Sequence, residues 1–364
     1  MMCRFCRSTE GMTVLDLGEQ PASDHFPAVS DPAPDPVYPL RMWLCTACGL
    51  AQLAEDPTVP NEPRGQEPAA LIEQAADAVS RVASAGLLPV GGTVAEYGSP
   101  HGGSWLGPLT ALGLRVAGSG ECADVVVDCF GLMHEADQAA ALAGRVARLR
   151  PGGLLLVQFH SLAAIVDGGQ WNVLRHAHFA YYSTPTLIAM LARAGLIART
   201  AFTFPLYGGT VLLALTHSGA PDGTVAAIIA EELAAGVLRP EMIGGLQQTA
   251  LDAATRLASW VARERAAGRR LFGYSAASRS VALLCRAGLT AELLPGIADT
   301  EPAKQGRRLP GSGIPVIAPA ELVAARPDTV LLFLPDLLPE VRESLPQIEA
   351  SGGRWVPING SASM

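Results

Sequence analysis

The stretch that decides the fold runs from Val94 to Asp128: VAEYGSPHGGSWLGPLTALGLRVAGSGECADVVVD. It opens as an apolar strand carrying an acid, Glu96, passes through glycines at 98, 102 and 103, and enters a helix-like spacing. A strand that turns through glycine into a helix lets backbone N–H groups approach a ligand, as nucleotide-binding α/β sheets do. A second strand, LRVAGSGE, follows from Leu114. In such folds an acid at its end accepts ribose hydroxyls. Here that position falls on Gly120, with Glu121 one residue further on. Only Cys122 then separates Glu121 from the next apolar run, ADVVVDCF. Since a βαβ unit occupies about thirty residues, a third strand and its flanking helices are expected to be missing here.

Outward from this stretch, strand and helix alternate. Strands are expected at 93–97, 114–118, 124–129, 153–159 and about 210–216. Helices are expected near 103–112, 136–148 and 184–195, with another over 69–85 leading in. This alternation argues for an open parallel α/β sheet wound with helices. Residues 222–266 are alanine-rich and helical in spacing, broken near RPEMIGG (239–245). A second βα pattern follows, from LFGYSAASRS (271–280) to RWVPI (354–358). Upstream, residues 1 to about 55 are rich in Cys, Pro and Asp, and 57–68 form a polar, proline-rich linker. The boundaries expected from these shifts are 1–56, 69–218, a helical linker over 219–266, and 267–364.

Bulk composition narrows the function. Hydrophobic residues make up 49% and charged residues 16%, which fits a compact chain and not a disordered one. The net charge of −8 gives no electrostatic reason to expect nucleic acid or an anionic membrane surface. No apolar run approaches the roughly 20 residues of a membrane span. The opening MMCRFCRSTEG lacks a signal-peptide core, so the expected location is the cytoplasm.

Seven cysteines in a chain this long do not read as a disulfide framework. Four of them form two Cys-x-x-Cys pairs, Cys3/Cys6 and Cys45/Cys48. Two such turns supply the four thiolates of a closed structural zinc site, with no open position for catalysis. A small segment with few large apolar residues also needs such a staple. Cys122, Cys129 and Cys285 sit in apolar surroundings and are expected in the core.

Taken in order, several motifs resemble the C-methyltransferases of unusual deoxysugars. They are CRFC with LDLGEQPASDHF, CTACGLAQL, EYGSPHGG, RPGGLLLVQF, RHAHFAYYS, YGGT, LFGYSAASRS and AKQGRRLPGSGIPV. The resemblance covers essentially the whole chain. It implies a class I methyltransferase-like (Rossmann-like) sheet between a small zinc-binding N-terminal module and a second, smaller Rossmann-like C-terminal domain. It also implies S-adenosylmethionine as methyl donor and C-3 of a nucleotide-linked 4-keto sugar as acceptor, in antibiotic biosynthesis. Cofactor contacts would come from Glu96, Gly98, Ser99, Gly102, Glu121 and Asp128.

Methylation beside a ketone needs a base to make the enolate, and histidine is neutral and basic near pH 7. The resemblance places that chemistry in NVLRHAHFAYYS, on His178 with His176 and Tyr182. Substrate contacts would come from Tyr181, Tyr207 and Arg279, the last meeting a diphosphate. His134 would cap a strand end or line the pocket. The chain departs from the family pattern at Ala177, where a glutamate belongs, and at Ser275 and Ser280, where glycines belong. The aromatic, serine-rich stretch expected after the zinc module is also replaced by NEPRGQEPAALIEQAAD. Three functions therefore stay open: the methyltransferase; a relative that runs proton transfer, epimerisation, elimination, cyclisation or rearrangement without S-adenosylmethionine; and a non-enzymatic binding protein of the same pathway.

Overall fold

A computed structural model describes residues 1–58, 69–99 and 102–358; most of the proline-rich stretch after the zinc module lies outside them. Three strands open the chain: β1 (Gly11–Pro21), β2 (Val37–Cys45) and β3 (Ala51–Leu53). The central segment supplies β4 (Thr93–Gly98), β5 (Arg115–Val116), β6 (Ala123–Cys129) and β7 (Leu149–His160). It continues with β8 (Ala180–Tyr181), β9 (Ile197–Phe204) and β10 (Thr210–Thr216). The C-terminal segment adds β11 (Leu271–Tyr274), β12 (Ile297–Ala298), β13 (Val316–Ile317), β14 (Thr329–Leu332) and β15 (Arg354–Pro357).

The central sheet has the order β5-β4-β6-β7-β10-β9. β4 to β7 run parallel, and β10 lies antiparallel between β7 and β9. β6, ADVVVDC, is an apolar run because helices cover both of its faces. The helix Ala69–Ser84 lays Leu71, Ala75, Ala78, Val79 and Val82 on the sheet, an i, i+3/i+4 stripe. Among the described residues no strand continues the sheet beyond β5, which is two exposed residues long. The shortening read between Glu121 and Ala123 is thus a missing edge of the sheet. β9 was not expected: IARTAFTF alternates too weakly to announce a strand, and its hairpin with β10 makes it one.

The C-terminal sheet, β13-β12-β11-β14-β15, is parallel throughout. The N-terminal strands form an antiparallel sheet whose fourth member is β8, 127 residues downstream of β3 in the order β1-β2-β3-β8. The helix Pro240–Ala266 buries Ile243, Leu246, Ala250, Ala253, Leu257 and Val261. These share one core with Leu15, Leu17 and Met42 of the N-terminal sheet and with Leu271, Leu283 and Leu331 of the C-terminal segment. Arg308 fastens the same junction by pairing with Asp35 at 2.6 Å. Among the described residues no helix is long and apolar enough to cross a membrane.

Candidate functional site

The two cysteine turns are built alike. Cys3 accepts at its carbonyl from the Arg7 N–H and Cys45 from the Gly49 N–H. The residue after each pair, Arg7 and Gly49, takes positive φ, at 64° and 78°. Each turn therefore curls its two sulfurs toward one point. All four Sγ atoms lie within 4.8 Å of one another, and Cys3–Cys48 and Cys6–Cys45 are each 3.6 Å apart. A tetrahedron with zinc–sulfur bonds of about 2.3 Å has sulfur–sulfur edges of about 3.8 Å. The donor set and its spacing fit a closed zinc centre. Of the remaining cysteines, Cys129 is buried and Cys285 partly so, but Cys122 is exposed. The expectation that Cys122 belongs to the core is corrected: it sits on the short turn that replaced the missing strand.

At the glycine turn, the Glu96 carboxylate accepts from the Trp105 N–H at 2.6 Å and from the Ser104 hydroxyl at 2.7 Å. It thereby shapes the loop that carries Gly98, Ser99, Gly102 and Gly103. Gly102 and Gly103 take φ of 95° and 90°, which favour glycine. Glu121 lies not at the end of β5 but in the turn before β6, and its oxygens meet Arg115 at 3.0 Å and the Gly118 N–H at 2.8 Å. These contacts hold its carboxyl below the usual glutamate range. Phe130, at φ 59°, bridges back to Gly98 across the ends of β6 and β4. Asp128 is turned into the core and away from solvent. It is fully buried, paired with Arg145 Nε at 2.6 Å, and accepts the Leu132 N–H at 2.9 Å. Burial drives its carboxyl upward against that pull.

The histidine loop divides its residues among different jobs. His176 is buried with Nε2 3.3 Å from the Pro39 carbonyl and its ring edge-on to Tyr38. Burial lowers its pKa. The Tyr182 hydroxyl donates to Gln138 in the core, and the Tyr181 hydroxyl donates to the Val173 carbonyl at 3.2 Å. Burial raises both phenols. His176 and Tyr182 spend their polar atoms on separate partners, whereas the Tyr181 hydroxyl also accepts from the N–H of Arg175, whose guanidinium lies on His178. Nε2 of His178 lies 2.7 Å from Arg175 Nη2, and its ring meets His134 edge-on at 4.4 Å. Ala177, where the family pattern has glutamate, sits at φ 64°, and its N–H donates to Asp56. Asp56, a residue the motif reading did not single out, holds the loop from the N-terminal module.

A second group of polar side chains gathers between the end of β7, the 170–175 loop and the helix that follows β11. Open α/β sheets hold ligands at such ends. β7 delivers His160. The turn Leu206–Gly208 delivers Tyr207, held at φ 56°, ψ 22°, with its ring 5.9 Å from Phe130 and 6.4 Å from His160. The helix Ser278–Arg286 begins with Ser278, which accepts from Arg175, and Arg279, which donates to Gln170 at 3.3 Å. Neither guanidinium has a carboxylate at ion-pair distance among the described residues. Arg279 feels the Arg175 charge instead. Desolvation first, then the Arg175 charge, lowers Arg279 to about 10, with Asp336 and Tyr207 offsetting in part. Burial pushes Tyr207 up to about 12. Of the sequence-derived residues, Tyr207 and Arg279 meet here. Arg175, Gln170 and His160 join them unannounced. His160 alone had a signal, a histidine ending a central strand.

Residues 205–358 match a family described as the C-methyltransferase C-terminal domain, and residues 3–60 match a zinc binding domain family. The C-methyltransferase NovU of Streptomyces niveus is 25% identical, over 98% of this chain and 95% of that protein. Among solved structures, the glycopeptide N-methyltransferase MtfA complexed with sinefungin is 14% identical. It covers 45% of this chain and all of its own, with a TM-score of 0.31. The amino pentose methyltransferase CalS10 of Micromonospora echinaspora, solved with S-adenosylmethionine, is 15% identical over 40% of this chain and 91% of its own, at 0.27. The fold assignment rests on strand order, not on these two scores.

Proposed function

We propose, from the premise that this chain belongs to the C-methyltransferase family, that it methylates carbon beside a carbonyl in a small anionic substrate of the nucleotide-sugar type. The observation that carries this reading is the pair Arg175 and Arg279. Two guanidiniums at one helix N-terminus, without a carboxylate at ion-pair distance among the described residues, fit a diphosphate. A histidine and a tyrosine stand beside them.

The glycine turn and Glu121 are the residues that would hold S-adenosylmethionine, with Glu96 shaping the turn. When bound, the group supplies an electrophilic methyl on sulfur. The chain's own part is to hold the substrate by its anionic end, keep water from the reacting carbon, and accept the α-proton. The sugar acceptor and the antibiotic pathway are part of the same proposal, supported by the motifs that resemble the deoxysugar C-methyltransferases.

A second reading has a specific observation behind it. The sheet ends at β5, Glu121 is tied to Arg115, and Phe130 bridges to Gly98 across the neighbouring strand ends. That arrangement favours a family member that performs proton transfer on its substrate without a methyl donor. Calorimetric titration with S-adenosylmethionine and S-adenosylhomocysteine separates the two. Micromolar binding supports the methyltransferase; no heat at millimolar ligand refutes it and leaves the donor-free reaction.

A further inference from the structure

The turn that carries Arg175 is held from outside its own segment. Residues Arg175 to His178 close as a four-residue turn, with the His178 N–H donating to the Arg175 carbonyl at 3.4 Å. Its third residue, Ala177, takes φ 64°, the left-handed region where such turns favour glycine and an alanine is strained. Ala177 is also buried, at 5% exposure, and a buried peptide group must find partners. Its carbonyl lies 3.1 Å from Nδ1 of His134. Its N–H donates at 2.5 Å to Oδ2 of Asp56, a residue of the N-terminal module.

The pairing of β3 with β8 brings Asp56 there. Ala51 faces Tyr181 and Gln52 faces Ala180, and the Leu53 N–H donates to the Phe179 carbonyl at 3.2 Å. Three residues further along, the chain stands opposite the turn. Oδ1 of Asp56 accepts the Thr58 N–H at 2.9 Å, a local turn that fixes the carboxylate. Arg4, between the zinc ligands Cys3 and Cys6, lies over the Phe179 ring at 4.7 Å and donates to the Leu53 carbonyl at 3.2 Å. The first cysteine turn thus grips the segment that follows His178. Within the turn, Arg175 Nε lies 2.9 Å from His178 Nε2, and Nη1 donates to Ser278.

We propose that Asp56 is a positioning residue for substrate binding: it holds Ala177 in the left-handed conformation, and that turn sets where the Arg175 guanidinium and the His178 ring stand. The inference rests on the reading of Arg175 as a ligand of the substrate's anionic end. Strained backbone persists only where its surroundings over-determine it. Without the Asp56 carboxylate the Ala177 N–H has lost its acceptor, and an alanine relaxes toward negative φ. The residues on either side then turn with it, and Arg175 leaves Ser278. The N-terminal module, stapled by its cysteines, is in this way part of the substrate site.

The test compares the full, zinc-loaded protein with Asp56→Ala and with Asp56→Ala combined with Ala177→Gly. Calorimetry reads the affinity for thymidine diphosphate. Nuclear magnetic resonance with ε1-labelled histidine reads the His178 signal, assigned by His178→Gln, which senses the His134 ring 4.4 Å away. Asp56→Ala should shift that signal and weaken the nucleotide about tenfold, the order of one hydrogen bond to a charged group. Adding Ala177→Gly should restore both, because glycine takes this φ without strain; a chain that had merely lost its fold gains nothing from it. The Ala177 amide of the parent should also resist exchange with solvent, a readout that needs no variant to fold. If the parent binds the nucleotide and Asp56→Ala binds it equally, or if glycine restores nothing, or if that amide exchanges freely, the proposal is overturned and the substrate reading stands. If the parent binds no nucleotide, the substrate reading fails and takes the binding role of Asp56 with it.

Discussion

Replacing Asp128 by alanine separates a structural acid from a ligand-binding one. The carboxylate is completely buried, with one oxygen 2.6 Å from Arg145 Nε and the other accepting the Leu132 N–H. The Arg145 side chain is 4% exposed and lies over the Tyr97 ring at 4.3 Å. Without Asp128 this guanidinium keeps only Glu135, at 3.3 Å and half-exposed, as an anionic neighbour. Breaking a buried ion pair from one side costs about 3–5 kcal/mol. The remaining Glu135 places this case at the lower end, about 3 kcal/mol. At about 1.4 kcal/mol per tenfold, opening of β6 becomes roughly a hundredfold more frequent. Asp128→Asn keeps an acceptor for Leu132 and should cost less. Hydrogen-exchange mass spectrometry on peptides spanning 123–129 reads this sheet directly. Unchanged exchange in Asp128→Ala, together with lost affinity for S-adenosylhomocysteine, would refute the ion-pair reasoning and return Asp128 to the cofactor.

Metal analysis of freshly purified protein should find one zinc per chain, and Cys45→Ser should lower that content and melt the N-terminal sheet. Finding no zinc would sink the tetrathiolate centre. Brief alkylation of the native, zinc-loaded protein should label Cys122 first, because it is exposed while the zinc thiols and Cys129 are not; peptide mapping decides it. Asp328 is held at about 2, from 3.8, by its hydrogen bonds to Arg270. Its folded pKa is depressed, so its contribution is complete above the ordinary aspartate range and is lost as pH falls toward about 2. The pair is solvent-exposed and screened, so its contribution is small. Urea unfolding at pH 6 and pH 3 should show a smaller acid-side loss in Asp328→Asn than in the parent.

What was legible in the sequence was local. Apolar runs such as ADVVVDC and LLLVQF announced β6 and β7, and the short span from Glu121 to Ala123 announced a missing strand. The zinc ligands were legible because a Cys-x-x-Cys turn carries its geometry within itself. β8 was not legible, because Ala180 and Tyr181 become a strand only by pairing with Gln52 and Ala51. The candidate site was half legible for the same reason. Tyr207 and Arg279 stood in recognisable turns, whereas Arg175 gains meaning only from Ser278, over a hundred residues away. His176, Tyr181 and Tyr182 looked like one cluster by position. Neighbouring side chains on an extended segment point to opposite sides, so Tyr181 enters one core and Tyr182 another.

The shared core of the N-terminal sheet and the helix Pro240–Ala266 sets a timetable for assembly. β1 and β2 can form their hairpin as soon as they leave the ribosome, but the core that takes up Leu15, Leu17 and Met42 is complete only once that helix has been synthesised. At synthesis rates of about 5–20 residues per second, this is a wait of roughly ten seconds or more with an unfinished core and, for most of it, an open β3 edge. The zinc centre can close during that interval, since all its ligands lie before residue 49. A metal-clamped hairpin would keep the early strands in register until their distant partners arrive, so metal starvation should show first as aggregation of nascent chains.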